Sequence, residues 1–402
     1  MMHKGKKNSL RVILLSAYMA AGVLLIGCGK AAEQQETSTQ QIRIENLDAR
    51  DTDISPELDF AYSMELEYAD KFAVDYYEDD YVLLSVADGS RMLLVPENES
   101  VPEELEAGIT VLRRPICNVY LVATAVMDMF CELDVLSYVR FSGQKAEGWS
   151  RKEARTAMEQ GDILYAGKYN IPDYELILSE GCSLAIENTM ISHSPEVVEK
   201  LAGFGIPVMI DYSSYEEHPL GRVEWIKFYG ALLGMEEQAQ EIFAEQTVIV
   251  ERVTAEEASG KTVAFFYITT NGMVNVRRSA DYVPKMIELA GGTYIFEDLG
   301  SDLTYKSSIN MQTEEFYRTA KDADYLIYNS TRDKELTTVA QLIDKCELLA
   351  DFKAVQEGNV WCTTNDMYQQ SMAAGEMISD LHAMISQDVS QQETMQYIYR
   401  LK

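Results

Sequence analysis

Between Tyr68 and Val95 apolar residues alternate with polar ones: Phe72, Val74 and Tyr76, then 81–86, a turn at Ala87-Asp88-Gly89, then 92–95. A period of two broken by Asp-Gly predicts a β-hairpin. The polar stretch 96–108, with Pro96 and Pro102, predicts a loop. The pattern then changes. A short apolar run at 119–122, helical spacing over 125–131, a strand at 135–141, apolar runs at 158–164 and 184–186, a helix over 195–202 and a strand at 207–210 follow one another. Strand, helix, strand at this spacing predicts βαβ units on a largely parallel sheet. Trp225, Phe228, Tyr229, Leu232 and Leu233 then recur at helical spacing. They predict a helix opening near Arg222 and running through Gln246 to Thr254, weakened only at Gly230 and Gly234. Past Gly260 a second series begins, with strands at 263–268, 325–328 and 360–362 and helices at 282–290, 339–349 and 375–385.

The two series share a phrase. Residues 172–178 precede the apolar run 183–188, and residues 313–317 precede 323–329. In each, an acidic residue opens a short helix that leads to a buried strand ending in a polar residue. The fold class is α/β, and the repeat predicts two related lobes. Asp211 to Gly230, dense in aromatic and charged groups, sits between them as both a loop at a strand exit and a joint.

The N-terminus changes the picture. Lys4, Lys6, Lys7 and Arg11 precede an apolar run from Val12 to Ile26, which ends Leu25-Ile26-Gly27-Cys28. A basic head, a short apolar middle and a small residue before the cleavage point read as a secretory signal. The order Leu-Ile-Gly-Cys resembles the bacterial lipobox, which implies cleavage before Cys28 and a diacylglycerol thioether on its sulfur. Residues 29–41 are small and polar, suited to a flexible tether. Acids outnumber basic residues 65 to 34, for a net charge of −31 at pH 7. That excludes nucleic acid as a partner, and leaves the lipid rather than basic residues to hold the chain on a membrane. The five cysteines after Cys28 form no C-x-x-C, so each reads as a buried free thiol or as half of a disulfide outside the cell. With four histidines, of which His3 lies in the signal, a multi-histidine site for a bare metal ion is poorly supported.

Five phrases carry a family resemblance. They are residues 167–175 (Gly-Lys-Tyr-Asn-Ile-Pro-Asp-Tyr-Glu), 201–208 (Leu-Ala-Gly-Phe-Gly-Ile-Pro-Val), 217–225 (Glu-His-Pro-Leu-Gly-Arg-Val-Glu-Trp), 286–292 (Met-Ile-Glu-Leu-Ala-Gly-Gly) and 355–361 (Val-Gln-Glu-Gly-Asn-Val-Trp). In this order, behind a lipobox, the chain over 105–402 resembles the helical-backbone (class III) substrate-binding lipoproteins of bacterial ABC importers for ferric siderophores, corrinoids and haem. The resemblance implies two Rossmann-like lobes joined by a single long inter-lobe helix, with ligand held in the cleft between them. It implies a monomer with no intrinsic cofactor and no catalysis, carried on the outer face of the cytoplasmic membrane and docking on a membrane permease. Its domains would be a signal peptide at 1–27, a lipidated cysteine and tether at 28–45, an N-terminal lobe with its preceding hairpin region at 46–221, an inter-lobe helix at 222–256 and a C-terminal lobe at 257–402. Family members dock through one glutamate per lobe. The matching positions are Glu175 and Glu315, with Glu314 a rival because the spacing drifts by one residue. Acids in a first helical turn also simply suit the helix dipole.

Loops at the carboxyl ends of strands are the default ligand site in open α/β sheets. Here they are 123–125, 142–149, 188–190 and 212–222, then 269–278, 329–332 and 365–369. Trp149, Met190, Tyr212, Tyr215 and Tyr368 are candidates for an apolar wall, with core packing the alternative for any one of them. Arg277 and Arg278 are candidates for anionic groups on a metal chelate, and Asn329 for a polar contact. His218 is either a metal ligand or, with Pro219, Arg222 and Trp225, part of a fixed turn at the start of the joint helix. The competing functions are a binding lipoprotein for a bare metal ion and a surface enzyme acting on carbohydrate. No Gly-x-Ser-x-Gly elbow, phosphate loop or Gly-x-Gly-x-x-Gly supports an enzyme.

Overall fold

The computed structural model describes residues 47–300, 307–387 and 394–402. The expected signal peptide, Cys28 and the expected tether lie outside the described residues. The predicted hairpin is the centre of a five-stranded sheet, β1 Phe60–Ser63, β2 Phe72–Tyr77, β3 Val82–Val86, β4 Arg91–Val95 and β5 Thr110–Arg113, joined in that spatial order. β1 to β4 are antiparallel, and β5 runs parallel to β4. Its alternation sorts the two faces. Phe72, Val74, Leu84 and Leu94 enter the main core, while Tyr77, Leu83 and Leu93 close a separate cluster on the other face.

The first parallel sheet is built from β6 Val119–Leu121, α1 Thr124–Glu132, β7 Val139–Ser142, α2 Lys152–Gln160 and β8 Leu164–Tyr165. A small hairpin follows, β9 Gly167–Lys168 with β10 Ile171–Pro172, then α3 Tyr174–Ser179, β11 Ala185–Asn188, α4 Pro195–Gly203 and β12 Val208–Asp211. The order is β12-β11-β6-β7-β8, with every pairing parallel. The apolar stretch 158–164 is not one strand, since α2 runs to Gln160 and is capped by Gly161 in the left-handed region (φ 83°).

The helix expected over 222–256 is two helices, α5 Pro219–Leu233 and α6 Glu236–Thr254, packed along one another. Gly234 ends α5 with φ 76°, a left-handed conformation that favours glycine. Gly230 lets the pair approach, because a Cβ there would stand 2.6 Å from the Cβ of Ala239. The two glycines that only weakened the sequence pattern are the turn and the contact that fold it back. α5 has no polar face, and fourteen of its fifteen residues are buried.

The second sheet follows: β13 Lys261–Ile268, β14 Val274–Arg277, α7 Tyr282–Leu289, β15 Gly292–Tyr294, β16 Ser308–Met311, α8 Thr313–Ala320, β17 Tyr325–Tyr328, α9 Val339–Lys345, α10 Lys353–Glu357, β18 Val360–Thr363, α11 Ala374–Ser386 and β19 Ile398–Arg400. β13, β17 and β18 are its parallel centre, and β14, β16 and β19 are antiparallel edges. The repeated phrase recurs as structure. α3 leads into β11 and α8 into β17, each strand lying inside its sheet.

The joint is gripped by the five-stranded sheet. The carboxylate of Glu224, on α5, accepts the backbone N–H groups of Glu67 (2.9 Å), Tyr68 (2.8 Å) and Ala69 (2.8 Å) from the β1–β2 connection. Glu216 accepts those of Asp70 (3.2 Å) and Lys71 (3.0 Å), and the indole N–H of Trp225 (3.0 Å). Phe72 packs edge-on against Trp225 and Phe228. Buried backbone amides need acceptors, and two buried glutamates supply them across a long sequence separation.

Candidate functional site

Three of the strand-end loops converge. The loop after β7 (Glu147 to Ser150), the loop after β17 (Thr331 to Lys334) and the segment after β18 (Asn365, Asp366, Gln369) line a cavity of about 680 Å³, with Arg155 of α2 at its side. Its walls are chiefly polar. Gln369 ties the two sheets together beside it. Its carbonyl oxygen accepts from Ser150 N–H (2.9 Å) and Ser150 Oγ (3.0 Å), and its amide nitrogen donates to the Gly148 carbonyl (2.9 Å). A second bridge lies nearby, where Asp128 accepts Met372 N–H (2.8 Å) and the Arg151 guanidinium (2.6 Å). Burial pushes the Asp128 carboxyl up to about 6, with those two bonds opposing the shift.

The charges around the cavity are unequal in freedom. Asp333 is held by Lys345 (2.5 Å) and the Tyr328 hydroxyl (3.0 Å), and Asp366 accepts the Gln370 amide (2.7 Å). Arg155, Arg332 and Lys334 have exposed side chains and no carboxylate partner among the described residues, and Glu147, also on the cavity, is exposed with no cation partner there. In a chain with nearly twice as many acids as bases, three free cations on one cavity are conspicuous.

The expected ligand residues fall elsewhere, save one. Trp149 lines the cavity, but it is buried and its indole N–H donates to Ser142 Oγ (3.0 Å). Tyr212, 3% exposed, packs edge-on against Tyr215 (5.6 Å) in the core beside β12, so it forms no cleft wall. Met190 is exposed on the turn after β11. Arg277, Asn329 and Tyr368 do come together, but chiefly with each other. The Tyr368 hydroxyl accepts from Arg277 (2.6 Å) and Asn329 (2.9 Å), and Arg277 lies 3.5 Å from Asp281. Arg278 is buried and paired with Glu217 (2.9 Å). The loops were foreseeable from strand ends. Arg155, Lys334 and Gln369 were not singled out, because a lone cation or amide in a polar loop carries no periodic signal.

His218 caps α5. Its Nδ1 accepts Leu220 N–H (3.2 Å), its ring stacks on Tyr68 (4.5 Å, 22°), and Pro219 takes the first helical position. Burial, then the charge of Lys285, lowers its pKa. Arg222 lies 4.0 Å over the Tyr282 ring, and Trp225 is fully buried. Glu175 stands exposed in the first turn of α3, and Glu314 and Glu315 in that of α8. A second cavity, about 600 Å³, lies against the five-stranded sheet beside Arg50, Ser63 and Lys71. No loop of either parallel sheet reaches it, and its cations are already paired, Arg50 with Asp75 and Lys71 with Asp70.

No protein-family model matches the chain. It is 26% identical over 397 residues to an uncharacterised lipoprotein of Methanocaldococcus jannaschii, spanning 91% of this chain and 92% of that one. Among solved structures it is similar to a possible iron-binding (periplasmic solute-binding) protein from Staphylococcus epidermidis, with TM-score 0.53 and 14% identity over 66% of this chain and 97% of that one. A periplasmic haem-binding protein from Roseiflexus sp. RS-1 is matched with TM-score 0.51 and 18% identity over 67% of this chain and 98% of that one. The chain has the periplasmic binding-protein fold. Nearly the whole of each neighbour is matched, so a third of this chain is additional to the shared fold. The cavity lies between strand-end loops of the two sheets, the place where open α/β sheets favour ligands, and α5 is buried in the core.

Proposed function

We propose that the protein is an extracytoplasmic solute-binding lipoprotein, anchored through Cys28 to the outer face of the cytoplasmic membrane. It captures a metal chelate in the inter-lobe cleft and delivers it to an ABC permease. Of the chelates the resemblance implies, an anionic ferric siderophore fits better than a haem or corrinoid. The observation that carries this is the polar cavity of about 680 Å³ with three unpaired cations, Arg155, Arg332 and Lys334. Those groups suit carboxylate, hydroxamate or catecholate oxygens. A flat tetrapyrrole calls for an apolar wall, and the aromatic residues suited to one, Trp149 and Tyr212, are packed and buried. The iron- and haem-binding neighbours support a ligand of this general class. Exposed Glu175 and Glu315, with Glu314 beside it, offer one acidic point per lobe to a basic permease surface.

A thermal-shift titration tests the reading. Anionic ferric siderophores should raise Tm, with ligand at a hundredfold excess over Kd adding about 2.7 kcal/mol of stability, and binding should weaken as salt rises. Arg332→Ala and Lys334→Ala should each weaken it about tenfold, the order expected for losing one charge-assisted contact. Stabilisation by haem or cobalamin alone would overturn the ligand assignment, and stabilisation by no member of the panel would overturn the importer reading.

A further inference from the structure

The described residues hold five free cysteines. Cys131 is on α1, Cys346 follows α9 and Cys362 is on β18. Cys117, exposed, and Cys182, half-buried, lie in the loops that enter β6 and β11, and those loops are bonded to each other. β6 and β11 run parallel with Tyr120 opposite Ala185, and Tyr120 N–H donates to the Leu184 carbonyl (2.9 Å). The same adjacency continues toward the N-terminal ends of both strands. Asn118 Nδ2 donates to the carbonyls of Glu180 (3.0 Å) and Gly181 (3.4 Å). Cys117 N–H donates to Ser183 Oγ (3.2 Å), and that hydroxyl donates to the Cys117 carbonyl. Gly181 and Ser183, which flank Cys182, are thus both bonded to the Cys117–Asn118 segment, and that sets the two cysteines beside each other. A disulfide spans a Cα separation of roughly 4.4–6.8 Å, within reach of two residues so placed.

We propose that Cys117 and Cys182 are a redox-closable pair that staples the entry of the first parallel sheet to the turn leaving α3. The oxidant is a disulfide of the glutathione or protein-disulfide class. The exposed Cys117 thiolate attacks one oxidant sulfur, breaking its S–S bond, releasing one thiol and forming a mixed disulfide. Cys182 then loses its proton and attacks the Cys117 sulfur, releasing the second thiol. Two protein thiols are oxidised and one oxidant disulfide is reduced to two thiols, which take up the two protons. Burial pushes the Cys182 thiol up to about 11, so closure quickens as pH rises.

The pair sits at the N-terminal ends of β6 and β11, whereas the cleft loops leave the C-terminal ends of their strands. Closure therefore fixes α3, which carries Glu175, without touching the ligand site. Only the oxidising surroundings rest on the extracytoplasmic reading. The chemistry is read on purified protein, and ligand titration plays no part in it, so the two can fail separately.

Purified full-length protein is incubated with oxidised glutathione, digested under non-reducing conditions and analysed by mass spectrometry. The expected result is a linked pair of peptides carrying Cys117 and Cys182, formed faster at pH 8.5 than at pH 7, with Tm raised by several degrees and restored by dithiothreitol. Cys117→Ser and Cys182→Ala should each abolish both the linkage and the rise in Tm, and Cys346→Ser should alter neither. If Cys182→Ala fails to fold, Cys117→Ser and the peptide map still decide. A glutathione adduct that persists on Cys117, or linkage of Cys117 to any other cysteine, overturns the proposal.

Discussion

Glu224 and Glu187 are both fully buried, one at the joint and the other in the first parallel sheet. Glu224 accepts three backbone N–H groups from the β1–β2 connection and the ammonium of Lys227 (2.8 Å). Glu187, one residue from the end of β11, has no hydrogen-bond partner for either oxygen among the described residues, and burial alone pushes its carboxyl up to about 8. The same side chain is a clamp in one place and an isolated acid in the other. What separates them is whether the fold brings donors. At the joint a whole loop turns its amides toward one helix, so the carboxylate is part of how the five-stranded sheet attaches. In the first sheet no donor arrives, and the group stays inside by keeping its proton.

The largest effect should come from breaking the clamp. Glu224→Ala strands three backbone amides, one of them buried, and a nearly buried ammonium, and should cost about 3–5 kcal/mol in urea unfolding. Hydrogen exchange should accelerate at residues 67–69 before the second sheet loosens. A loss below about 1 kcal/mol would mean that the loop finds other acceptors and that the contrast with Glu187 is empty. At the isolated acid the effect depends on pH. A carboxyl whose pKa is raised in the folded state favours folding fully below its ordinary value of about 4.3. That contribution is lost as pH rises toward the folded value of about 8. Stability should therefore fall by up to about 1.4 kcal/mol per pH step through this window from this group. Glu216, pushed by burial up to about 7, acts in the same direction. Glu187→Gln should flatten the slope of a Tm-versus-pH series between pH 5 and 8, while Glu224→Gln should lower the whole curve.

The two halves of this comparison were unequally visible in the sequence. Alternation found β3 and β4, and the helical spacing of Trp225, Phe228 and Tyr229 found α5, because burial on a face imposes a period. The loops that line the cleft follow from strand ends and connectivity. The clamp was invisible, because Glu67 to Lys71 and Glu216 to Glu224 are local polar stretches whose meaning lies in a pairing about 150 residues apart. The same blindness applies to Tyr212, which packs in the core beside β12. An aromatic residue in a loop reads alike whether it faces ligand or core, and only packing decides. Gly234 shows the converse. Its signal was present but was outweighed by the apolar period on both sides, although one left-handed residue is enough to end a helix.

The smallest effect sharpens the joint itself. His218 does two things there, capping α5 through Nδ1 and stacking its ring on Tyr68. Asparagine can replace the cap but not the stack, so His218→Asn should cost about 0.5–1 kcal/mol, and His218→Ala about twice that. pH separates the two roles. Nδ1 can accept the Leu220 N–H only while it carries no proton, and burial holds the ring neutral by lowering its pKa below the ordinary value of about 6.5. The stabilisation is thus present above that value and is lost as pH falls through the lower folded pKa. Wild type and His218→Asn should differ most near neutral pH and converge in acid, where the imidazolium can no longer cap. Both should bind equally any ferric siderophore that the titration identifies, since His218 stacks on Tyr68 and caps the helix end rather than lining the cavity. A large loss of ligand affinity in His218→Asn, with little change in Tm, would instead make the ring a ligand contact and move the site from the strand-end loops to the joint.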